Sequence, residues 1–586
     1  MTINDIVSTF DTFENKSFDE NNVSNELRKL LPPKRDETNP DLLAEIMAFE
    51  FMEDYQDEDT GWGTYFGPMI VWNNADGSNT KFPSIGSITP EMIAYWENRA
   101  NESRNPILVA RYSGLVWDFQ SIKCKTNPSH KICRLFVDAA LKIANEGFFK
   151  YEVTVWKKLE RAINLSISLN DDYLIDNCKK AIIDFEKKYS QDNKPGLWGN
   201  SFDLLIGKNK IKLSVQEESF IIKELEDKLY RLTKPDSNNH KIDPWAAEIS
   251  AIRLAEYYKG KKRYDDVKRV ILEIGNAYDK IIGEASAIQA INWFNHLYGL
   301  YKKYDLKEEA ANVLLRIREI GPKIDKEMTN FSHSFSIPQE TIDAYLKEIT
   351  DGTIEEVLTR ICFNYIPHKN QVKEEIFNLS KKYPMVYLSS HEIQDGNGRV
   401  IATIGSLKDD WEGHIVRQIS MNLSFLSIFL DLAIKELIVK SKLDKNAIIN
   451  FIQKTPIIKK ERLIIIEKGL EAFFSTDYIT FIHLIIPQIE EAIRNLLELA
   501  GGNVLKPSKK GGFQLKTFDE LLRDDIIVKN LKEDFVDYFR MVFTDPRGWN
   551  MRNNVCHGMA NPEMFNPYTA DWVLHGLLCL GLIKIE

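Results

Sequence analysis

Cysteine is scarce. Six residues, Cys124, Cys133, Cys178, Cys362, Cys556 and Cys579, are scattered over 586. They lack the dense spacing of a secreted disulfide framework, and a reducing compartment is expected. Also missing is any apolar stretch close to the roughly 18 residues needed to cross a bilayer, or a basic start followed by an apolar run in MTINDIVSTFDTFENKSFDENN. The expectation is a soluble, cytoplasmic protein with no membrane association. Positive charge is not in excess either. Lys and Arg number 76 against 86 Asp and Glu, for a net charge of -10. General attraction to polyanions is thereby excluded, and any nucleic-acid site must be a local patch. What the chain does have is 44% hydrophobic and 28% charged residues, enough to bury several cores, so disorder as the main state is excluded. The length corresponds to roughly three or four domains.

Apolar spacing at three and four residues dominates from about residue 88 onward, as in EMIAYWENRA and ICRLFVDAALKIANEGF, and predicts a mostly α protein. Between Thr60 and Thr89 glycines, prolines and the turn-like Ala75-Asp76-Gly77 interrupt Trp62, Tyr65, Phe66 and Trp72, which predicts an irregular aromatic loop with a short hairpin. Residues 1–150 are therefore read as an N-terminal helical domain carrying that loop. From 151 to 383 helices follow one another with short polar breaks, predicting a helical-hairpin array. LAEYYKGKKRYDDV (254–267) and LYGLYKKYDLKEEA (297–310) look alike and set Tyr264 and Asp265 opposite Tyr304 and Asp305. A tetratricopeptide-like solenoid, or another antiparallel array with similar turns, would produce this. MVYLSSHEIQDGNGRVIATIG changes the period around Asp395-Gly396-Asn397-Gly398 and predicts a β-hairpin linker over 384–410. Long helices resume at Trp411, and 411–586 are large enough to form a separate helical bundle.

The chemistry-bearing segment is MRNNVCHG near the end, followed by an apolar helix from about Pro567. If it starts a helix, Asn553 and His557 lie four apart on one face, and Arg552 reaches the same spot with its long side chain. A histidine titrating near neutral pH beside a permanently charged fork suits transfer at a phosphodiester. The imidazole moves a proton, arginine holds phosphorane charge, and Asn553 orients the imidazole or a ribose hydroxyl. An arginine-to-histidine spacing of this kind arises by chance on the order of once in such a chain, and the asparagine directly after the arginine makes it far rarer. The other reading is a buried histidine and arginine satisfying loop carbonyls.

Arg552, Asn553 and His557 together resemble the R-N-x-x-x-H signature of the HEPN superfamily of helical bundles. HLIIPQIEEAIRNLLELAGG (483–502) and the closing helix resemble the rest of that domain. With ILVARYSGLVWDF (107–119) and the hairpin at 385–405, the chain is similar to a family of large bacterial proteins of unassigned function. The resemblance implies a metal-independent endoribonuclease used in toxin-antitoxin systems or anti-phage defence, with a site formed where two protomers of a homodimer meet through the C-terminal bundle. It implies catalytic roles for Arg552, Asn553 and His557, and neither metal nor cofactor. The alternative is a non-catalytic scaffold that dimerises through a HEPN-like bundle and binds protein partners.

Glu490 and Arg494, four apart on the preceding helix, form an intrahelical ion pair or reach the site. Lys506, Lys509 and Lys510 in the glycine-flanked loop GGNVLKPSKKGG either follow an RNA backbone or are simply solvated, and Arg540 and Arg547 would add to such a patch. Cys124, His130 and Cys133 lack a fourth ligand and the two-residue spacing of a zinc knuckle, so no metal is expected there. Cys556 is expected to be buried as a small apolar side chain, and His575 to be a satisfied core histidine. The helical array is expected to offer a concave surface to a protein trigger or antitoxin.

Overall fold

The computed structural model describes residues 2–33, 39–74, 78–208, 211–234, 241–327, 336–395, 399–509 and 511–584. It is mostly helical, with short two-stranded antiparallel pairs. Packing divides the chain into two compact units, Met1–Ala285 with Leu297–Ala310, and Ser286–His296 with Ala311–Glu586.

In the first unit the helix starts obey local chemistry. Thr89, Asn105 and Asp243 each cap a helix whose first turn holds proline, at Pro90–Glu102, Pro106–Cys124 and Pro244–Gly260. The cap oxygen takes an orphan N–H, and proline has no N–H to strand. Pro106–Cys124 is buried on nearly every side. Its Gly114 admits the rings of Phe66 and Phe136, since a Cβ there would lie 2.8 Å from Phe66. The aromatic loop is more regular than expected. Phe51–Glu53 pairs with Phe66–Pro68, and Ile70–Asn73 with Asn79–Phe82, while the turn Ala75-Asp76-Gly77 lies outside the described residues. A buried ionic group ties these strands to the helices. The Lys158 Nζ donates to Glu53 at 2.7 Å and Glu20 at 3.0 Å, and Arg111 donates to the carbonyls of Ala48 and Phe51, each at 2.6 Å.

Helical hairpins follow, among them Pro244–Gly260 with Tyr264–Ile281. Their turns correct the register expected for the repeat. Lys262 and Asp305 both adopt left-handed backbone, with φ of 59° and 57°. Arg263 N–H donates to Tyr258 O and Leu306 N–H to Tyr301 O, the same closing bond. Lys262 is therefore the equivalent of Asp305, and Tyr264 and Asp265 match Lys307 and Glu308 rather than Tyr304 and Asp305.

The second unit is built on Trp411–Val439, Tyr478–Leu499 and Pro567–Gly581. Ile349, Val357, Ile361, Val372 and Ile376 belong to the same core as Leu430, Ile485 and Leu577. The division expected at 384–410 is thus not where the chain divides, and 339–382 pack with the C-terminal helices instead of closing the array. The β-hairpin itself is present, His391–Gln394 against Val400–Ile404, with a register shift at Ile393/Gln394. Its turn residues 396–398 lie outside the described set. Residues Pro384–Leu388 are a short helix and not the start of the first strand. The excursion is anchored inside the unit, since Leu407 N–H donates to Tyr387 O at 2.7 Å and His414 Nε2 lies 3.0 Å from Gly405 O. Turn chemistry marks a local change of period, whereas a domain boundary needs few crossing contacts, and these are different signals. Among the described residues no helix is long and apolar enough to cross a membrane.

Candidate active site

Arg552 and its neighbours form a helix of their own, Met551–Cys556, followed by a loop before Pro567–Gly581. The motif thus starts a short helix, and the closing helix begins at Pro567, as the sequence suggested. Both ends are set by backbone geometry. Asn550 precedes the helix in left-handed conformation, φ 51°. At the other end Gly558 is left-handed, φ 68°, with its N–H on Val555 O at 3.1 Å and Met559 N–H on Asn554 O at 2.8 Å. That pair of bonds is a Schellman ending, which favours glycine because a Cβ is strained at positive φ. His557 is the C-cap of this short helix, its N–H on Asn553 O at 3.1 Å. Upstream, Gly548 lets the loop pass Met541, where a Cβ would sit 2.5 Å from the carbonyl oxygen.

Glu490, on Tyr478–Leu499, organises the charged side chains. Its Oε2 accepts from Arg552 Nε at 2.8 Å, and its Oε1 from Arg494 Nη2 at 3.0 Å. Glu490 and Arg494 form the intrahelical pair, and Glu490 alone of the two also contacts Arg552. Arg552 Nη1 donates to Asn553 Oδ1 at 3.2 Å, and Asn553 Nδ2 donates to Asn550 Oδ1 at 2.7 Å. Asn550 is the member of this chain that sequence spacing did not single out, and its signal was the asparagine repeated around Met551-Arg552. The direction of every amide follows from its neighbour, so the network aims the guanidinium. Of its five N–H groups, three donate, the third to Glu490 Oε1 at a long 3.5 Å. Two remain for a ligand. The His557 imidazole is exposed and has no hydrogen-bond partner among the described residues.

Other expected participants are placed elsewhere or otherwise engaged. The lysine loop is partly a hairpin, Leu505–Pro507 against Phe513–Leu515. Lys506 is held by Glu520 at 2.5 Å, which together with the Thr517 amide draws that carboxyl down to about 2. It is therefore no mobile RNA contact. Lys509 is exposed, and Lys510 lies outside the described residues. Arg540 is buried against Glu412 and Asp545, and Arg547 against Asp545, so neither adds to a basic patch. Cys556, expected in the core, is exposed as the last residue of this short helix. His575 is a core histidine as expected. Tyr538 Oη lies 2.7 Å from its Nδ1, and burial holds its pKa down to about 4. Cys133 is buried while His130 is exposed at the start of the same helix, and among the described residues no group of His, Cys, Asp and Glu is arranged to hold a metal ion.

Two hollows border this segment. One, of about 530 Å³, is lined by Trp549, Met551, Met564, Tyr568 and Trp572 with Ser424 and Ile428. The other, of about 830 Å³, is lined by Asn550, Asn554, Met559 and Asn561 and shares Met564 with the first. Compared with the models of known protein families, with curated proteins and with solved structures, the chain matches none of them.

Proposed function

We propose that the chain is a metal-independent endoribonuclease of the HEPN type, acting as a toxin or in anti-phage defence, with Arg552, Asn553 and His557 at its reacting centre. The observation that carries this reading is the aimed guanidinium. Glu490 and Asn553 hold Arg552 while two of its donors stay unengaged, on the same short helix as a solvent-facing imidazole.

In this reaction the ribose 2′-oxygen forms a bond to the adjacent phosphorus and gives up its proton to an imidazole. The bond from phosphorus to the 5′-oxygen breaks, and that oxygen takes a proton as it leaves. The products are a 2′,3′-cyclic phosphate and a 5′-hydroxyl, with no redox change and no water consumed. Arginine contributes by holding charge that grows on the phosphoryl oxygens, which is worth most where the donor is already oriented. One histidine does not serve as base and acid at once, so a homodimer through the C-terminal bundle would supply the second. The helical hairpins of the first unit would then hold a protein trigger or an antitoxin, as helical arrays expose extended surfaces.

The test is incubation of the purified chain and His557→Ala with total RNA in EDTA, followed by analysis of fragment ends. Cleavage that survives the chelator, leaves cyclic phosphates and vanishes in the variant supports the reading. Cleavage that persists in His557→Ala, or that leaves 3′-hydroxyl ends, refutes it. A protein inert with RNA in the presence of every trigger it binds is the dimerising scaffold instead.

A further inference from the structure

The hairpin that follows Tyr478–Leu499, Leu505–Pro507 against Phe513–Leu515, is turned inside out. Alternation along each strand puts Leu505, Pro507, Phe513 and Leu515 on one face and Lys506 and Gln514 on the other. The polar face is the anchored one, through Lys506 on Glu520 at 2.5 Å. The apolar face stands in solvent, with Phe513 76%, Leu515 52% and Leu505 41% exposed. A contiguous apolar group shown to water marks a surface that something else covers.

The two edges of the hairpin are unlike. Ser508 N–H donates to Gly512 O at 2.9 Å, and Lys516 N–H to Val504 O at 2.8 Å. Antiparallel pairs alternate between bonded and unbonded. The ladder bonds between them therefore fall at Lys506 and Gln514, and the N–H and C=O groups of the four apolar residues point to the outer edges. On the first strand that edge is closed, because Pro507 has no N–H and the Leu505 N–H is held by Asn503 Oδ1 at 2.9 Å. On the second strand Phe513 and Leu515 each present an N–H and a C=O, and the sheet ends there at two strands. These groups have no partner among the described residues. Proline and side-chain caps are how sheets protect an edge. Here one edge is protected and the other is left open.

We propose that the open edge takes an extended, acidic segment of another protein, which adds a third strand beside Phe513–Leu515 and lays alternate apolar side chains over the exposed face. Three observations choose this occupant. Backbone donors and acceptors in a row are matched by a strand, and not by a helix. The apolar face offers a few hundred Å², against about 800 Å² per partner in a stable complex, which suits one short segment and not a second copy held by its hairpin alone. Residues 503–517 contain Lys506, Lys509, Lys510 and Lys516 and no Asp or Glu. Two copies would bring like charges together, whereas Lys509, exposed and unpaired among the described residues, favours a carboxylate. RNA would meet an apolar face, with Lys506 and Lys516 already neutralised by Glu520 and Asp524. None of this depends on the ribonuclease reading.

The test uses the full chain and a fluorescent peptide of alternating valine and threonine with two glutamates at each end. By anisotropy the peptide is expected to bind saturably below about 1 mM. A copy methylated at its backbone nitrogens, and a copy with lysines for the glutamates, are each expected to bind about tenfold more weakly. Leu515→Pro removes one edge N–H and keeps the ladder, as Pro507 does on the other strand, and is expected to weaken binding about tenfold. Phe513→Thr removes apolar area with the edge intact and is expected to weaken it about fivefold. Hydrogen exchange on the unaltered chain decides even if a variant fails to fold. The Phe513 and Leu515 amides are expected to exchange freely in the chain alone and to be slowed about tenfold or more by the peptide. No binding in that range, equal binding of the methylated copy, or amides already protected in the dilute free chain overturns the proposal. Protection that grows with protein concentration assigns the edge to a second copy, and displacement of the peptide by an oligoribonucleotide assigns it to RNA. Either result also overturns it.

Discussion

Lysine in place of Arg552 keeps the charge and loses the geometry. The guanidinium spans Glu490 and Asn553 with different nitrogens, and an ammonium on a flexible stem does not reproduce that fork. Arg552→Lys is expected to lower the cleavage rate about 100-fold or more, the cost of losing an aimed donor to developing charge, and the measurement is the rate on a defined oligoribonucleotide. His557→Ala is expected to abolish cleavage while moving stability by less than about 0.5 kcal/mol, since it removes an exposed side chain without a partner. A melting temperature that drops markedly would mean the histidine is structural. Cys556 is exposed beside it, and partial burial pushes its thiol up. A raised thiol pKa disfavours the reactive thiolate, so Cys556→Ser is expected to cleave at the rate of the unaltered chain.

Between elements, a few buried charges make the packing sensitive to single substitutions. In the first unit Lys158 is 5% exposed in its side chain and bridges Glu20 and Glu53. Lys158→Ala would leave Arg111, at 3.4 Å and 3.3 Å, as the cation between Glu20 and Glu53, and is expected to cost about 1–3 kcal/mol, read by denaturant unfolding. In the second unit Asp571, on Pro567–Gly581, is buried against Asp431, which Lys435 engages at 2.8 Å. Burial, then the Asp431 charge, raise the Asp571 carboxyl to about 8, with Lys435 opposing. The unfolded chain binds this proton only near its ordinary 3.8. The stability it confers is therefore complete below about 4 and is lost as pH rises through about 8. Asp571→Asn keeps the neutral form at every pH. Relative to the unaltered chain it is expected to gain about 2–3 kcal/mol between pH 6 and pH 9, at about 1.4 kcal/mol per pH unit until the group ionises. A gain independent of pH would show that Asp571 is not protonated in the fold. The helices themselves were legible in the sequence, because caps, prolines and period-3.6 spacing are local. Long-range facts were not. Glu490 could be foreseen beside Arg494, four residues away, but its contact with Arg552 spans 62 positions and depends on how two helices cross. The same holds for the core that joins Val357 to Leu577 and moves the boundary away from the hairpin. Lys506 read as a free cation because Glu520, its partner, lies beyond the strand turn.

For the molecule as a whole, a net charge of -10 and the engagement of Lys506, Arg540 and Arg547 with carboxylates leave little cationic surface for RNA around the motif. If the chain binds RNA as proposed, the salt dependence is expected to be shallow, with fewer than about three phosphates neutralised at about 0.7 in slope for each on a single strand. The imidazole adds a stoichiometric argument. Exposed and without a partner among the described residues, His557 would supply one proton relay where the proposed reaction uses a base and an acid. If the second is His557 of another copy, activity belongs to the dimer alone and rises more steeply than linearly with protein until dimerisation is complete. A mixing experiment separates this from a self-sufficient chain. When equal amounts of the unaltered protein and His557→Ala exchange subunits to equilibrium, about one quarter of dimers keep both histidines, so cleavage at fixed total protein is expected to fall to about one quarter of the unaltered value. Independent chains would retain one half, and the shared-site reading would then be wrong.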